Sequence, residues 1–240
     1  MLTLFPEMFE AVMQSSITGR AAEKGIIEFG FTDIRQFSKN KHKKTDDYPY
    51  SGGGGMVMTP QPIYDAYMSI ASKYKKKPHT IYMSPQGKTF NQRTAIRLSE
   101  MEHIVILCGH YEGVDERIIE EIIDEEISIG DFVLTGGEIP AMAVMDAVSR
   151  MIPGVLSNSG SYENESHYSG LLEHPQYTRP AEFMGKSVPE VLISGNHALI
   201  EKWKREQSIV NTLKKRPELL DKAELDETDI KFLEKIKGEM

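Results

Sequence analysis

Cysteine is nearly absent: Cys108 is the only one in 240 residues. This excludes an intramolecular disulfide and a cysteine-built zinc site, and it fits a reducing compartment. Long apolar runs are missing too. No stretch reaches the roughly 18 residues a membrane helix needs, and the opening MLTLFPEMFE lacks the basic-then-apolar pattern of a secretory signal. Cytoplasm is the expected location, with no membrane partner. Hydrophobic residues make up 40% and charged residues 27%, which excludes both a disordered and a fibrous chain. The length suits one large domain or two modest ones.

Positive charge is short overall, with a net value of -8, which taken alone argues against a nucleic-acid partner. The deficit is local. Between Glu100 and Glu138 twelve acidic residues face Arg117 alone, so the rest of the chain is net positive. Basic clusters stand at Lys39, Lys41, Lys43 and Lys44, at Lys73, Lys75, Lys76 and Lys77, and from Lys202 through Arg205 to Arg216. Such runs are solvated faces or phosphate contacts, and charge alone leaves both open.

Short β-branched and aromatic runs alternate with helical patterns, the signature of an α/β fold. The run His79 to Met83 enters Ser84-Pro85-Gln86-Gly87; a helix around Arg93 to Glu102 leads to His103 to Cys108, which enters Gly109. An acidic helix, Glu116 to Glu125, precedes Ile127 to Ile129, which enters Gly130. In a parallel sheet these three small-residue loops share the carboxyl edge, where ligands of open α/β folds bind. Glu138 to Met151 carries Ala141, Val144, Met145 and Val148 at helical spacing. The polar segment SNSGSYENESHYSG, without periodicity, reads as a linker or lid. The expected organisation is therefore 1–156, a flexible linker over 157–169, and 170–240. The last part is expected to be all helical, with helices over Ala198 to Val210 and Lys222 to Lys237.

Several motifs fail on inspection. Gly87-Lys88-Thr89 is no phosphate loop, because Tyr82 stands where that loop needs its first glycine. The run Gly52 to Gly55 is no dinucleotide loop, since Val57 takes the place of the third glycine. Four consecutive glycines permit close approach by a ligand or partner, and a structural turn is the alternative. The seven histidines form no metal-binding pair at helical spacing, and no nucleophile-elbow serine is present. Asp131, Glu138 and Asp146 are either paired acids or, for Glu138, a carboxylate at a helix start.

The loops taken together carry more. LTLFPEMF at Leu2 to Phe9, DDYPYSGGGGMVM at Asp46 to Met58, SPQGKTFNQ at Ser84 to Gln92 and CGHYEGVDERI at Cys108 to Ile118 are followed by three further segments. These are SIGDFVLTGGE at Ser128 to Glu138, SRMIPGVL at Ser149 to Leu156 and GLLEHPQYTRP at Gly170 to Pro180. In this order and spacing they resemble the bacterial tRNA (guanine-N1)-methyltransferase family, TrmD, across almost the whole chain.

The resemblance implies a homodimer whose N-terminal α/β domain has the SPOUT fold, a parallel sheet with a deep trefoil knot, followed by a small helical tRNA-binding domain. It implies that the knot holds S-adenosylmethionine bent, and that magnesium is needed for activity, with Glu112 a candidate for bringing an acid near. The cofactor residues it implies are Tyr82, Met83, Ser84, Pro85, Gln86 and Gly87 of the first loop, and Gly109, Tyr111, Glu112 and Gly113 of the second. From the third come Ile129, Gly130, Asp131, Phe132, Val133, Leu134, Gly136, Gly137 and Pro140. The implied substrate is guanine 37 of tRNA, preceded by guanine 36. Glu165 stands where the family has an aspartate base, and Arg150 matches the arginine that faces guanine O6. Asp46, Gly55, Thr178, Arg179, Asn196, Lys202 and Arg205 are the implied tRNA contacts.

Two departures stand out: Glu165 adds a methylene to the family's aspartate, with Glu163 as a neighbouring acid, and Ser51 replaces a usual glycine. They motivate one rival, a catalytically impaired RNA-binding homologue that keeps the cofactor pocket. A second rival, a small-molecule enzyme using the same pocket, leaves the basic clusters unexplained.

Overall fold

The computed structural model describes residues 1–156, Tyr162 and 165–239. The chain divides into two compact units, Met1–Ser159 and Gly160–Met240. Most of the polar stretch expected as the linker, Glu163 included, lies outside the described residues.

The first unit runs β1 (Leu2–Thr3), α1 (Glu7–Met13), α2 (Ser16–Glu23), β2 (Thr32–Asp33), β3 (Asp46–Asp47), β4 (Val57–Met58) and α3 (Pro60–Ala71). It continues through β5 (His79–Thr89), α4 (Gln92–Ser99), β6 (Ile104–Cys108), α5 (Glu116–Ile122), β7 (Glu125–Ser128) and α6 (Glu138–Ser149). Five strands form a parallel sheet in the order β2-β1-β6-β5-β7. Such a sheet is covered on both faces, so its strands are apolar on both. Val105 and Leu107 join Ile63 and Tyr67 of α3 and Ile118 and Ile122 of α5 on one side. Ile104 and Ile106 share the other side with Leu98 of α4 and Val144 and Val148 of α6. A separate antiparallel ribbon pairs β3 with β4.

Two boundaries differ from the sequence-based expectation, for local reasons. β5 does not stop at Met83: both Met83 and Lys88 align with Ile127, so Ser84 to Gly87 leave the ladder as a bulge inside one strand. Pro85 has no N–H to contribute, and the Ser84 hydroxyl accepts from the Gln86 N–H at 3.1 Å, turning the chain outward. The helix α5 ends at Ile122 rather than Glu125, because its last acids find partners across the sheet. The Asp124 carboxylate accepts from the Thr80 N–H at 2.8 Å, and Glu125 pairs with His79 at 2.6 Å and with Arg97 at 2.8 Å.

The second unit comprises β8 (Glu182–Phe183), β9 (Lys186–Ser187), α7 (Glu190–Ile193), α8 (His197–Lys215) and α9 (Glu227–Glu239). The expectation of an all-helical unit is corrected here, because β8 and β9 make a hairpin. Met184 and Gly185 both adopt positive φ, the geometry of a tight two-residue hairpin turn. The second helix starts at Glu227, five residues later than expected, and a reciprocal cap sets the place. Asp226 accepts from the Asp229 N–H at 2.8 Å, and Asp229 accepts from the Asp226 N–H at 3.2 Å. Leu171, Ile209, Leu220 and Leu233 form this unit's core.

Candidate active site

The bulge of β5 and the loops leaving β6 and β7 enclose a cavity of about 450 Å³ in the first unit, within the usual range for a small-molecule site. Every implied cofactor residue lines it except Gly87 and Asp131. Gly87 is used for packing: a Cβ there would lie 2.5 Å from the backbone of Glu126 and Ile127. Asp131 is exposed. The lining also includes residues that the sequence did not suggest. His110 and Thr135 sit inside the second and third loops and Ser128 ends β7; all three were findable by reading the quoted segments without gaps. Glu116, Ile119 and Glu126 come from α5 and β7, where no local signal separates a lining residue from a surface acid or a core contact.

Close backbone approach shapes the cavity. A Cβ on Gly109 would lie 2.8 Å from the Tyr82 ring, and one on Gly137 would lie 2.7 Å from the Cα of Cys108. The Gly137 N–H donates to the Gly109 carbonyl at 2.9 Å, which ties the third loop to the second. Burial, reinforced by Glu126 and Glu116, pushes the Tyr82 phenol up to about 12, so it stays a hydrogen-bond donor at neutral pH. Phe132, Val133 and Leu134 stand exposed along the third loop, with Val133 at 81%.

The glycine run behaves as a docking turn for the second loop. Gly55 takes φ +98°, and a Cβ there would strike the Glu112 side chain, while the Glu112 N–H donates to the Met56 carbonyl at 2.9 Å. Asp46 pairs with Met58 in the β3–β4 ribbon, and the Met58 N–H donates to the Gly113 carbonyl at 2.9 Å. Of the three candidate paired acids, Asp131 and Asp146 are exposed. Glu138 is buried between the Thr3 hydroxyl and His110. Burial alone would raise its pKa, but the hydrogen bonds from His110 and Thr3 outweigh it and hold the carboxyl below its ordinary value.

This chain closely matches proteins of known class. The family model described as tRNA (Guanine-1)-methyltransferase TrmD matches residues 1–222. The chain belongs to the TrmD family. A tRNA (guanine-N(1)-)-methyltransferase of Ruminiclostridium cellulolyticum is 62% identical over 221 residues, covering 92% of this chain and 95% of that one. One of Alkaliphilus oremlandii is 56% identical over 242 residues, covering 99% and 97%, and one of Clostridioides difficile is 56% identical over 223 residues, covering 92% and 96%.

The remaining implied residues of this TrmD-family chain fall in both units. Arg150 follows α6 and is half-buried, its N–H donating to the Asp146 carbonyl at 3.1 Å. Glu165 belongs to the second unit, where it lines a cavity of about 170 Å³ with His174, Lys204 and Arg205. Burial lowers the His174 pKa, with Lys204 acting in the same direction against Glu173 and Glu201. Arg205 is engaged internally, donating to Asp229 at 2.7 Å and to the Glu224 carbonyl at 2.6 Å. Asn196 caps α8, accepting from the Leu199 N–H at 3.3 Å. Lys202 lies 3.9 Å from Glu206 on an exposed face, and Thr178 and Arg179 are exposed.

Proposed function

We propose that the protein methylates N1 of guanine 37 in tRNA whose preceding base is also guanine, with S-adenosylmethionine as donor. The observation that carries this reading is the convergence of the β5 bulge and the loops leaving β6 and β7 of a TrmD-family chain on one cavity. The lining suits the donor. Gly109, Gly136 and Gly137 carry no side chain and so let an adenine edge and a ribose come close to the backbone, and Ile129 and Leu134 offer apolar faces for the ring. When bound, S-adenosylmethionine supplies an electrophilic methyl group. Magnesium is proposed to be needed for activity; it typically takes one or two carboxylates with waters, and Glu112 on the cavity wall is the candidate acid, while among the described residues no three His, Cys, Asp or Glu side chains gather into a preformed ion cage.

The nitrogen to be methylated carries a proton, so a base must take it. Glu165 is assigned that role. Removing the proton drives negative charge onto O6, and Arg150 is assigned to stabilise it. In this reading the active unit is a homodimer in the cytoplasm, with the knot of one subunit facing the linker of the other. No helix among the described residues is long and apolar enough to cross a membrane. Phosphate contacts from Lys202 and Arg179 position the anticodon arm, with Thr178 and Asn196 beside them. Arg205 contributes by holding α8 to α9 through Asp229.

The test is methyl transfer from labelled S-adenosylmethionine to a transcript with guanines at 36 and 37, beside a transcript with adenine at 37. The wild-type protein is expected to label only the first, and Glu165→Ala to lose that label. Label surviving in Glu165→Ala overturns its assignment as base. Tight donor binding by the wild-type protein without transfer overturns the enzyme reading in favour of an RNA-binding homologue.

A further inference from the structure

One buried polar chain beside the cavity has no part in the chemistry above. Glu138 is 1% exposed and Thr3 fully buried, yet both carboxylate oxygens are engaged. The Thr3 hydroxyl donates to Oε1 at 2.6 Å, and His110 Nε2 lies 2.7 Å from Oε2. Because the carboxyl is held below its ordinary pKa, it acts as an acceptor, so the hydrogen between them sits on His110 Nε2. The imidazole is fixed on two further sides. Phe5 meets it edge-on at 5.1 Å between ring centres, and a Cβ on Gly136 would lie 2.2 Å from its Cε1.

These contacts join segments far apart in the chain: β1, the second cofactor loop and the end of the third. The third loop needs such an anchor. Phe132, Val133 and Leu134 are exposed, so the loop has little apolar burial of its own to hold it. Its last residues, Gly136 and Gly137, line the cavity and lead directly into Glu138. A buried carboxylate is a costly way to fill space, since apolar side chains commonly stabilise such a site as well or better. Orientation is what it provides that they do not.

We propose that Thr3, Glu138 and His110 are positioning residues that hold the second and third loops in register for donor binding. The proposal rests on reading the cavity as the S-adenosylmethionine site. Thr3 does not line the cavity, so its effect is transmitted through Glu138 and His110.

The experiment measures S-adenosylmethionine binding by calorimetry and methyl-transfer kinetics for the wild-type protein, Thr3→Val, His110→Leu, His110→Gln and the Thr3→Val/His110→Leu double variant. Losing one partner of a buried, charged hydrogen bond is expected to weaken donor binding about tenfold or more. Thr3→Val and His110→Leu should raise the donor KM by that factor; for Thr3→Val, which lies outside the cavity lining, kcat at saturating donor and the tRNA KM should be little changed. His110→Gln keeps an N–H donor and should restore donor affinity. The double variant should be no weaker than the worse single one, because the residues act as one unit. Donor binding by Thr3→Val equal to wild type overturns the proposal, as does His110→Gln binding as weakly as His110→Leu. If His110→Leu does not fold, Thr3→Val decides the matter by its own criterion, and His110→Gln must bind the donor more tightly than Thr3→Val for the proposal to stand. A wild-type protein that binds no S-adenosylmethionine overturns the cofactor reading and this proposal with it; binding lost by none of the variants overturns this proposal alone.

Discussion

Gly137→Ala tests whether space or backbone conformation governs the junction between the second and third loops. Gly137 sits at φ −80° and ψ −5°, a conformation open to any residue. Were there room, alanine would stabilise the protein by about 0.4–1 kcal/mol through the unfolded chain. There is none: the added Cβ would lie 2.7 Å from the Cα of Cys108 and 2.9 Å from the Gly109 nitrogen, against a carbon contact optimum of about 3.5–4 Å. Both neighbours are backbone, so no rotamer relieves the clash. The loops must separate, which also strains the 2.9 Å bond from the Gly137 N–H to the Gly109 carbonyl. Overpacking of this kind costs about 1–3 kcal/mol. The net destabilisation is on the order of 1–2 kcal/mol, or roughly 2–8 °C in Tm for a domain of this size. Donor affinity should fall at least about tenfold, since both glycines line the cavity. Gly54→Ala is the control, because nothing lies within 4 Å of its added Cβ, and it should leave Tm unchanged or slightly raised. Gly137→Ala with wild-type Tm and wild-type donor affinity would refute the reasoning.

Further outcomes follow from groups outside the cavity. Burial would raise the Asp124 and Glu125 carboxyls, but the Thr80 N–H and Lys77 on one, and Arg97 and His79 on the other, hold them below their ordinary values of 3.8 and 4.5. A depressed carboxyl stabilises the fold above its ordinary value and loses that contribution as pH falls toward the folded value. Urea midpoints should therefore decline below about pH 4.5, less steeply in Asp124→Asn; an unchanged slope in that variant removes Asp124 from the account. Burial pushes the Cys108 thiol well up, so native protein should not react with a thiol reagent until denaturant unfolds it. Asp229→Ala removes both the Arg205 partner and half of the α9 cap, at a cost on the order of 2 kcal/mol. Trp203, the only tryptophan, reports the second unit, so its fluorescence in urea measures this loss, while donor binding in the first unit should be unchanged.

Local pattern alone determined a good deal here. The β-branched runs and the small-residue loops after them follow from the short-range rules for strands and turns, and they located three of the cavity walls. The segments that place the chain in its family are loops together with the strand and helix ends that flank them, where function constrains residue type most directly. Tertiary structure decided the rest. The bulge of Ser84 to Gly87 exists because β7 pairs on both sides of it, and α5 ends early because Asp124 and Glu125 find Thr80, His79 and Arg97 across the sheet. Glu138 is the helix-start carboxylate its position suggested, at the head of α6, but only the fold brings Thr3, 135 residues away, to its oxygen. Arg205, read along the chain as a phosphate contact, is also held by Asp229, 24 residues away. In each case the deciding partner is distant in sequence and near in space. Burial and hydrogen bonding depend on that spatial neighbour, which no window along the chain contains.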